Sequence, residues 1–271
     1  METAKTVIFG NGKAAVQAAQ ALVQTGGAVT IATSQKAVNF VPEEAELLTE
    51  VTLDNISAAS KGYDLTFARG TESICLHAAR IVLCDEYRRT AEFTRYGLVP
   101  CDQVNALSQI AADPESFTKK SGSVVFLTGI YRESNPLILR ETLASARHLS
   151  VDHAQKVYIL TGNLKVAAQG LEALYREARQ AGVTFIKFNR EKPSIEQLEK
   201  GNAAITFKDE ITGHHFRLTP DLTVVDEIAA VSESTEKVAG RLDIHKDHNG
   251  FAQTDNVHRL PIQTNRRGIL A

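Results

Sequence analysis

The chain opens on a β-branched and aromatic run, KTVIF at residues 5–9, that stops at Gly10. Beyond it Ala15, Ala18, Ala19, Leu22 and Val23 recur at the spacing of one helix face. Gly26 and Gly27 punctuate the helix end, and AVTIAT at residues 28–33 supplies a second apolar strand. The pattern predicts a strand, a tight turn, a helix and a second strand, which is one βαβ unit.

The same order returns at Ser123. SVVFLT at 123–128 reads as a strand, a helix opens near Ser134 with Pro136 in its first turn, and KVYIL at 156–160 is a strand. A helix is expected from about 164 to 181, where Leu164, Ala168, Leu171, Tyr175 and Ala178 share a face. Gly182 closes it, and VTFIKF follows as a strand. Shorter strand-like pieces at 63–69, 80–84, 203–208, 214–218 and 222–228 suggest meanders that cap each unit. The expected fold is therefore α/β, with two Rossmann-like dinucleotide-binding units built on parallel strands. Pro114-Glu115-Ser116 and Glu191-Lys192-Pro193 are plausible joints, and no linker is long or Ser/Gly-rich enough to be a free tether. There is no low-complexity tract and no repeat beyond the coarse doubling of the α/β unit.

The length of 271 residues allows one large domain or two modest ones at roughly 150 residues each. Thirty Lys and Arg against 32 Asp and Glu leave a net charge of −2, which gives no electrostatic case for nucleic acid as a partner. No apolar run is long enough for a membrane span and no export signal is visible. Cys75, Cys84 and Cys101 fit neither a CxxC thiol pair nor a zinc or iron–sulfur ligand run. Cytoplasmic residence with reduced thiols is the expectation, each cysteine acting as a small hydrophobe.

The sharpest motif is Gly10-Asn11-Gly12-Lys13-Ala14-Ala15, a G-x-G-x-x-A pattern after a strand and opening a helix. Gly10 permits the tight turn, Gly12 lets the backbone approach a diphosphate, and Ala15 allows close helix–strand packing. A turn that merely carries glycines is the bland alternative. At the end of the second strand a carboxylate should hold the adenosine ribose, but Thr33, Ser34 and Gln35 stand there. A hydroxyl binds a ribose without the charge-assisted bond, so affinity should be lower. Lys36 just beyond would suit a 2′-phosphate, or is simply an exposed loop lysine.

GNGKAA at 10–15, SVVFLTGIYRESNP at 123–136, KVYILTGNLKVAAQGLEALYREARQAGVTFIKF at 156–188 and NGFAQTDNVHRLPIQTNRRGILA at 249–271 together carry a resemblance. The chain resembles the FAD-binding core of heterodisulfide reductase-like proteins, in the pyridine nucleotide-disulfide oxidoreductase superfamily. The resemblance implies a discontinuous FAD-type domain, residues 1–115 with 230–271, and an inserted NAD(P)-type domain, residues 116–229. It also implies FAD as cofactor, NAD(P)H as a further one, redox protein partners and electron transfer within a larger complex. Gly10, Asn11, Gly12, Lys13, Ala14, Ala15, Thr33 and Ser34 are the residues placed at the dinucleotide; no acid, base or nucleophile is assigned, because the flavin would carry the chemistry.

Several family features are missing. The turn after RIVLC, which carries a glycine in relatives, reads Cys84-Asp85-Glu86, and the matching turn after LTVV reads Asp226-Glu227. Carboxylates near a bound diphosphate repel it. Leu137, Ile138, Leu139 and Arg140 stand where relatives carry a cysteine cluster, so no iron–sulfur cluster is expected in this chain. Relatives also continue past the strand that ends at Ala271, so a piece of a longer protein is one expectation and a site with one wall removed the other. His245 and His248, or His214 and His215, lack a third convergent ligand, and no G-x-S-x-G elbow suggests a hydrolase. Arg88, Arg89, Arg95, Arg266 and Arg267 are further candidates to meet phosphate or an acidic partner. The rival to the flavoprotein reading is a cofactor-free assembly or regulatory module on the same fold. A third reading is an NADP(H)-binding domain using Lys36.

Overall fold

A computed structural model describes residues 5–84, 87–118, 122–151, 155–247, 250–253 and 262–271. The chain forms two compact units, Met1–Arg88 with Ala230–Ala271, and Arg89–Ala229. Unit 1 begins with β1 (Thr6–Phe9), α1 (Lys13–Gln24), β2 (Val29–Ala32) and β3 (Glu46–Leu48). The strands β4 (Thr52–Ala59), β5 (Gly62–Arg69), β6 (Glu72–Ala78) and β7 (Arg80–Leu83) follow, and β8 (Tyr87–Ala91) leads into unit 2. There the chain forms α2 (Phe93–Tyr96), β9 (Val104–Ala106), α3 (Leu107–Ala112), α4 (Glu115–Thr118), β10 (Ser123–Thr128), α5 (Pro136–Val151), β11 (Lys156–Thr161), α6 (Leu171–Gln180) and β12 (Thr184–Lys187). It then makes β13 (Ser194–Gln197), β14 (Ala203–Lys208), β15 (His215–Leu218) and β16 (Leu222–Val225), and returns through β17 (Glu227–Val231) to α7 (Glu233–Arg241) and β18 (Ile269–Leu270) of unit 1. The two crossing strands, β8 and β17, pair with each other.

Unit 1 is built on a parallel five-stranded sheet in the order β18-β7-β1-β2-β3. Both faces of its central strands are covered, which explains why β1 and β2 read as unbroken apolar runs and are buried throughout. Val7 and Phe9 point to one side, into a cluster with Leu65 and Phe67 of β5 and Val238 and Leu242 of the α7 segment. Ile8 points to the other side and packs with Ala15 and Ala19 of α1 and Ile31 of β2. Alanine at those two positions lets the helix axis approach the sheet closely. Ile8 is fully buried, and its removal from water stabilises the unit by about 2 kcal/mol. The antiparallel meander β4-β5-β6 supplies the Leu65 and Phe67 side of the core.

Unit 2 repeats the plan, with a parallel sheet in the order β12-β11-β10-β16-β9. Val125 and Leu127 face a cluster with Ala203, Ile205 and Phe207 of the antiparallel sheet β13-β14-β15. Val124 and Phe126 alternate to the other side and are fully buried, and α5 packs on β10 and β11.

Three expectations are corrected. The first break falls between Arg88 and Arg89 rather than after residue 115, because the unanticipated strand β9 joins the second sheet beside β16 and buries Val104 and Ala106 there. The helix expected from 164 to 181 begins at Leu171. Gly170 precedes it with φ of 78°, a left-handed conformation through which no right-handed helix runs. The apolar piece at 222–228 is split at Asp226 into β16 and β17, which belong to different sheets.

Candidate functional site

The C-terminal end of β1 and the turn that follows it open on a cleft of about 640 Å³ in unit 1. Gly10 and Asn11 line it, with Thr33, Ser34 and Gln35 from the end of β2. This is the crevice outside the carboxyl ends of parallel strands where α/β folds place ligands. Phe9, Leu53, Phe67 and Leu83 form its apolar floor, and Phe9 and Phe67 touch at a ring separation of 5.7 Å. Arg88, Lys237 and residues 232–235 at the start of α7 complete the wall.

Gly10 has φ of 149°, a conformation that a residue with a Cβ adopts only under strain. Gly12 then stands at the N-cap of α1 in extended conformation, and no side chain caps the helix. The first turn, Lys13-Ala14-Ala15, carries no acid, and its amides have no intrahelical acceptor. An uncapped N-terminus with its partial positive charge intact suits an anion. Ala15 is fully buried against the sheet, whereas Lys13 and Ala14 are exposed. Gly10, Asn11, Thr33 and Ser34 are therefore brought to one cleft, while Gly12, Lys13, Ala14 and Ala15 follow in the chain and do not line it.

The end of β2 brings no charge to the cleft. Thr33 is buried and already engaged: its amide donates to Leu48 O at 2.9 Å, its carbonyl accepts from Val51 N at 3.0 Å, and its Oγ1 accepts from Gln35 N at 3.1 Å. Ser34 is exposed and lines the cleft with Gln35; Lys36 is exposed and does not line it. Nearby, Glu46 is held below the usual carboxylate range by the Lys5 ammonium, at 2.6 Å, and by the Thr30 hydroxyl, at 2.9 Å. That carboxylate ties β3 to β2 and does not line the cleft.

Of the five arginines singled out in sequence, Arg88 is the one that lines this cleft; Lys237 and the α7 N-terminus were not anticipated. Arg88 lies 4.0 Å from Glu233, both side chains largely exposed, a weak pair that leaves the guanidinium available. A signal for α7 was present: Ser232 accepts from Thr235 N as the N-cap, with Glu233 and Glu236 in the first turn.

The corresponding turn in unit 2 differs in its chemistry. Asp226, at the end of β16, is buried and accepts from Gly129 N at 2.8 Å and from Glu227 N at 2.9 Å; Ser134 Oγ lies 3.5 Å away. Burial pushes its carboxyl up to about 6, against the pull of those backbone bonds. Asp85 and Glu86, the other expected acidic turn, lie outside the described residues, as does His248. Among the described residues no group of three or more His, Cys, Asp or Glu is placed to hold a metal ion, and no helix is long and apolar enough to cross a membrane.

No protein-family profile matches the sequence, and no curated protein does. Solved structures do match. Thioredoxin reductase from Lactococcus lactis superposes with a TM-score of 0.54 at 16% identity, covering 98% of this chain and 88% of that one. The HOCl-induced flavoprotein disulfide reductase RclA from Escherichia coli gives 0.53 at 13% identity, covering 98% and 65%. A pyridine nucleotide-disulfide family oxidoreductase from Enterococcus faecalis gives 0.51 at 12% identity, covering 98% and 60%. The chain has the Rossmann-type α/β fold shared by these structures. Identities this low show that shared fold and leave activity to the site itself. The chain spans less than two thirds of the RclA and Enterococcus chains.

Proposed function

We propose that this chain is the FAD-binding core of an oxidoreductase, with unit 1 as the flavin dinucleotide domain and unit 2 as a domain of NAD(P) type in fold. One observation carries the reading: the turn Gly10-Asn11 lines a cleft with apolar residues on its wall and leads directly into an uncapped, acid-free helix N-terminus. The residues present fit the group. Backbone amides of the turn and first helical turn would hold the diphosphate, with Arg88 and Lys237 balancing its charge. Ser34 and Gln35 would meet the adenosine ribose as neutral partners, and Phe9, Leu53 and Phe67 would exclude water from the rings. Bound FAD would supply the redox chemistry.

Cys75 is exposed and Cys84 and Cys101 are half-buried, and all three are free. The disulfide chemistry in the neighbours' names is therefore not carried over to this chain. A role in passing electrons between protein partners of a cytoplasmic complex, of the heterodisulfide reductase type, suits a flavin core without its own thiol pair.

The test is spectroscopic. Protein reconstituted with FAD and freed of excess is expected to retain the yellow absorbance of stoichiometric bound flavin. Colourless protein that takes up no FAD on titration would replace this reading by the cofactor-free module. The NADP(H) reading turns on Lys36, which is exposed and does not line the cleft; Lys36→Ala is expected to leave affinity for either coenzyme unchanged.

A further inference from the structure

The two Rossmann-type units differ in how their strand-to-helix turns satisfy their own amide donors. In unit 1 the first donor beyond β1, the Gly10 amide, goes to a neutral backbone oxygen, Ala32 O at 3.2 Å, and the helix end is left open: Gly12 caps α1 without a side chain and no acid enters its first turn. In unit 2 the turn after β10 is closed by the chain itself. The Gly129 amide, the first donor beyond the strand, is taken by the Asp226 carboxylate. At the start of α5, Pro136 has no amide hydrogen, and the Leu137 amide donates to Asn135 Oδ1 at 2.9 Å. Behind the turn Gly162 N donates to Gly129 O at 3.2 Å, and a Cβ at Gly162 would lie only 2.8 Å from that oxygen. The ends of β10 and β11 are thus pressed together where a diphosphate would pass.

We infer that Asp226 fills the anion position of unit 2, so that this unit takes no pyridine nucleotide and the chain holds one dinucleotide rather than two. A diphosphate entering there would have to displace an acceptor from Gly129 and meet a buried carboxylate of its own sign. The coenzyme that the fold leads one to expect does not fit these residues. The inference rests on unit 2 alone. Combined with the flavin reading of unit 1, it means that electrons reach the flavin from a donor that does not bind in unit 2.

The test uses the full chain saturated with FAD and probed with ADP-ribose, which carries the diphosphate and adenosine of the nicotinamide coenzymes. Amide hydrogen exchange over residues 129–137 is the readout, with residues 10–15 reporting unit 1 separately. Wild type is expected to show no ADP-ribose protection at 129–137. Asp226→Asn keeps an acceptor of the same size and is expected to stay closed. Asp226→Ala, which empties the position, is expected to bind at least about tenfold more tightly than wild type. Protection at 129–137 in wild type would overturn the inference, as would a folded Asp226→Ala protein that gains nothing. Should that variant not fold, the wild-type exchange result decides alone. Loss of flavin from unit 1 would register as lost absorbance, so failure of the FAD reading is distinguishable from failure of this one.

Discussion

Arg89 and Glu227 form a two-pronged ion pair across the ribbon of β8 and β17: Arg89 Nε donates to Glu227 Oε2 at 2.9 Å, and its Nη2 reaches the same oxygen. The Glu227 side chain is 3% exposed and also accepts from Ser108 N at 3.1 Å and Ser108 Oγ at 2.7 Å. Arg89 Nη1 donates to Glu141 of α5 at 2.5 Å. One guanidinium therefore joins β17 and α5 to the strand by which the chain enters unit 2.

Arg89→Ala leaves Glu227 buried with the Ser108 bonds alone. The expected cost is about 3 kcal/mol, read as a lower urea midpoint, with Arg89→Lys recovering part of it. The double variant Arg89→Ala, Glu227→Ala should cost less than the sum of the single ones. Strict additivity would show that the pair is not coupled.

At Gly10 a side chain meets backbone strain before it meets any ligand. Gly10→Ala is expected to destabilise unit 1 by about 1–3 kcal/mol and to lower the flavin-to-protein ratio after reconstitution. Unchanged flavin content in a stable Gly10→Ala protein would argue against the turn as the diphosphate site.

The pH dependence carried by Asp226 has a defined sign. Its carboxyl sits at about 6 in the folded protein against an ordinary 3.8, so between those values the folded state binds more protons. Stability from this group is accordingly greatest below the ordinary value, falls as pH rises from about 4 to 6, and is flat above, a change of about 3 kcal/mol at most. In urea titrations from pH 4 to 8, wild type should lose stability relative to Asp226→Asn across that window; parallel curves would contradict it.

Thiol reactivity should separate two cysteines of unit 1. Cys75 is exposed, whereas burial pushes the Cys84 thiol up to about 11. At pH 8 about a thousandth of Cys84 is thiolate. Mass spectrometry after brief maleimide treatment is expected to find Cys75 modified and Cys84 intact, with Cys84 reacting only in denaturant or strong alkali.

Thr128 and Thr161 are register neighbours on β10 and β11, and their buried hydroxyls have no hydrogen-bond partner among the described residues. Thr128→Val or Thr161→Val removes an unsatisfied polar atom at nearly constant volume, so thermal unfolding should be unchanged or improved by up to about 1 kcal/mol. A loss of about 2 kcal/mol or more would reveal a partner, such as a bound water.

The parallel cores were legible because both faces of their strands are buried. KTVIF, AVTIAT, SVVFLT and KVYIL stand out as apolar runs and coincide with β1, β2, β10 and β11. β9 was not legible. Its three residues, Val-Asn-Ala, are too short for any periodicity, and only pairing with β16 makes them a strand. β4 was hidden because its core contacts, Leu53 and Ile56, stand three residues apart across a register shift between Leu53 and Asn55, so TLDNISAA lacks the alternation that marks a strand. Gly10 and Asn11 were found through glycine spacing, which reports backbone conformation directly. Arg88 could not be told from four other arginines, and Lys237 was missed, because a cation in sequence carries no mark of the cleft that distant segments assemble around it. The acid at 226 was noticed in sequence as a source of repulsion; its bond to Gly129, 97 positions earlier, needed the fold.

Because β8 and β17 lie side by side, the two ends of the inserted segment are neighbours. A two- or three-residue turn joining them would delete all of Arg89–Ala229 without stretching the remaining chain. Such a miniaturised polypeptide would still own β1, α1, the meander and α7, and so every wall of the cleft. The fold thus offers the cleft and whatever the insert contributes as separately selectable cassettes.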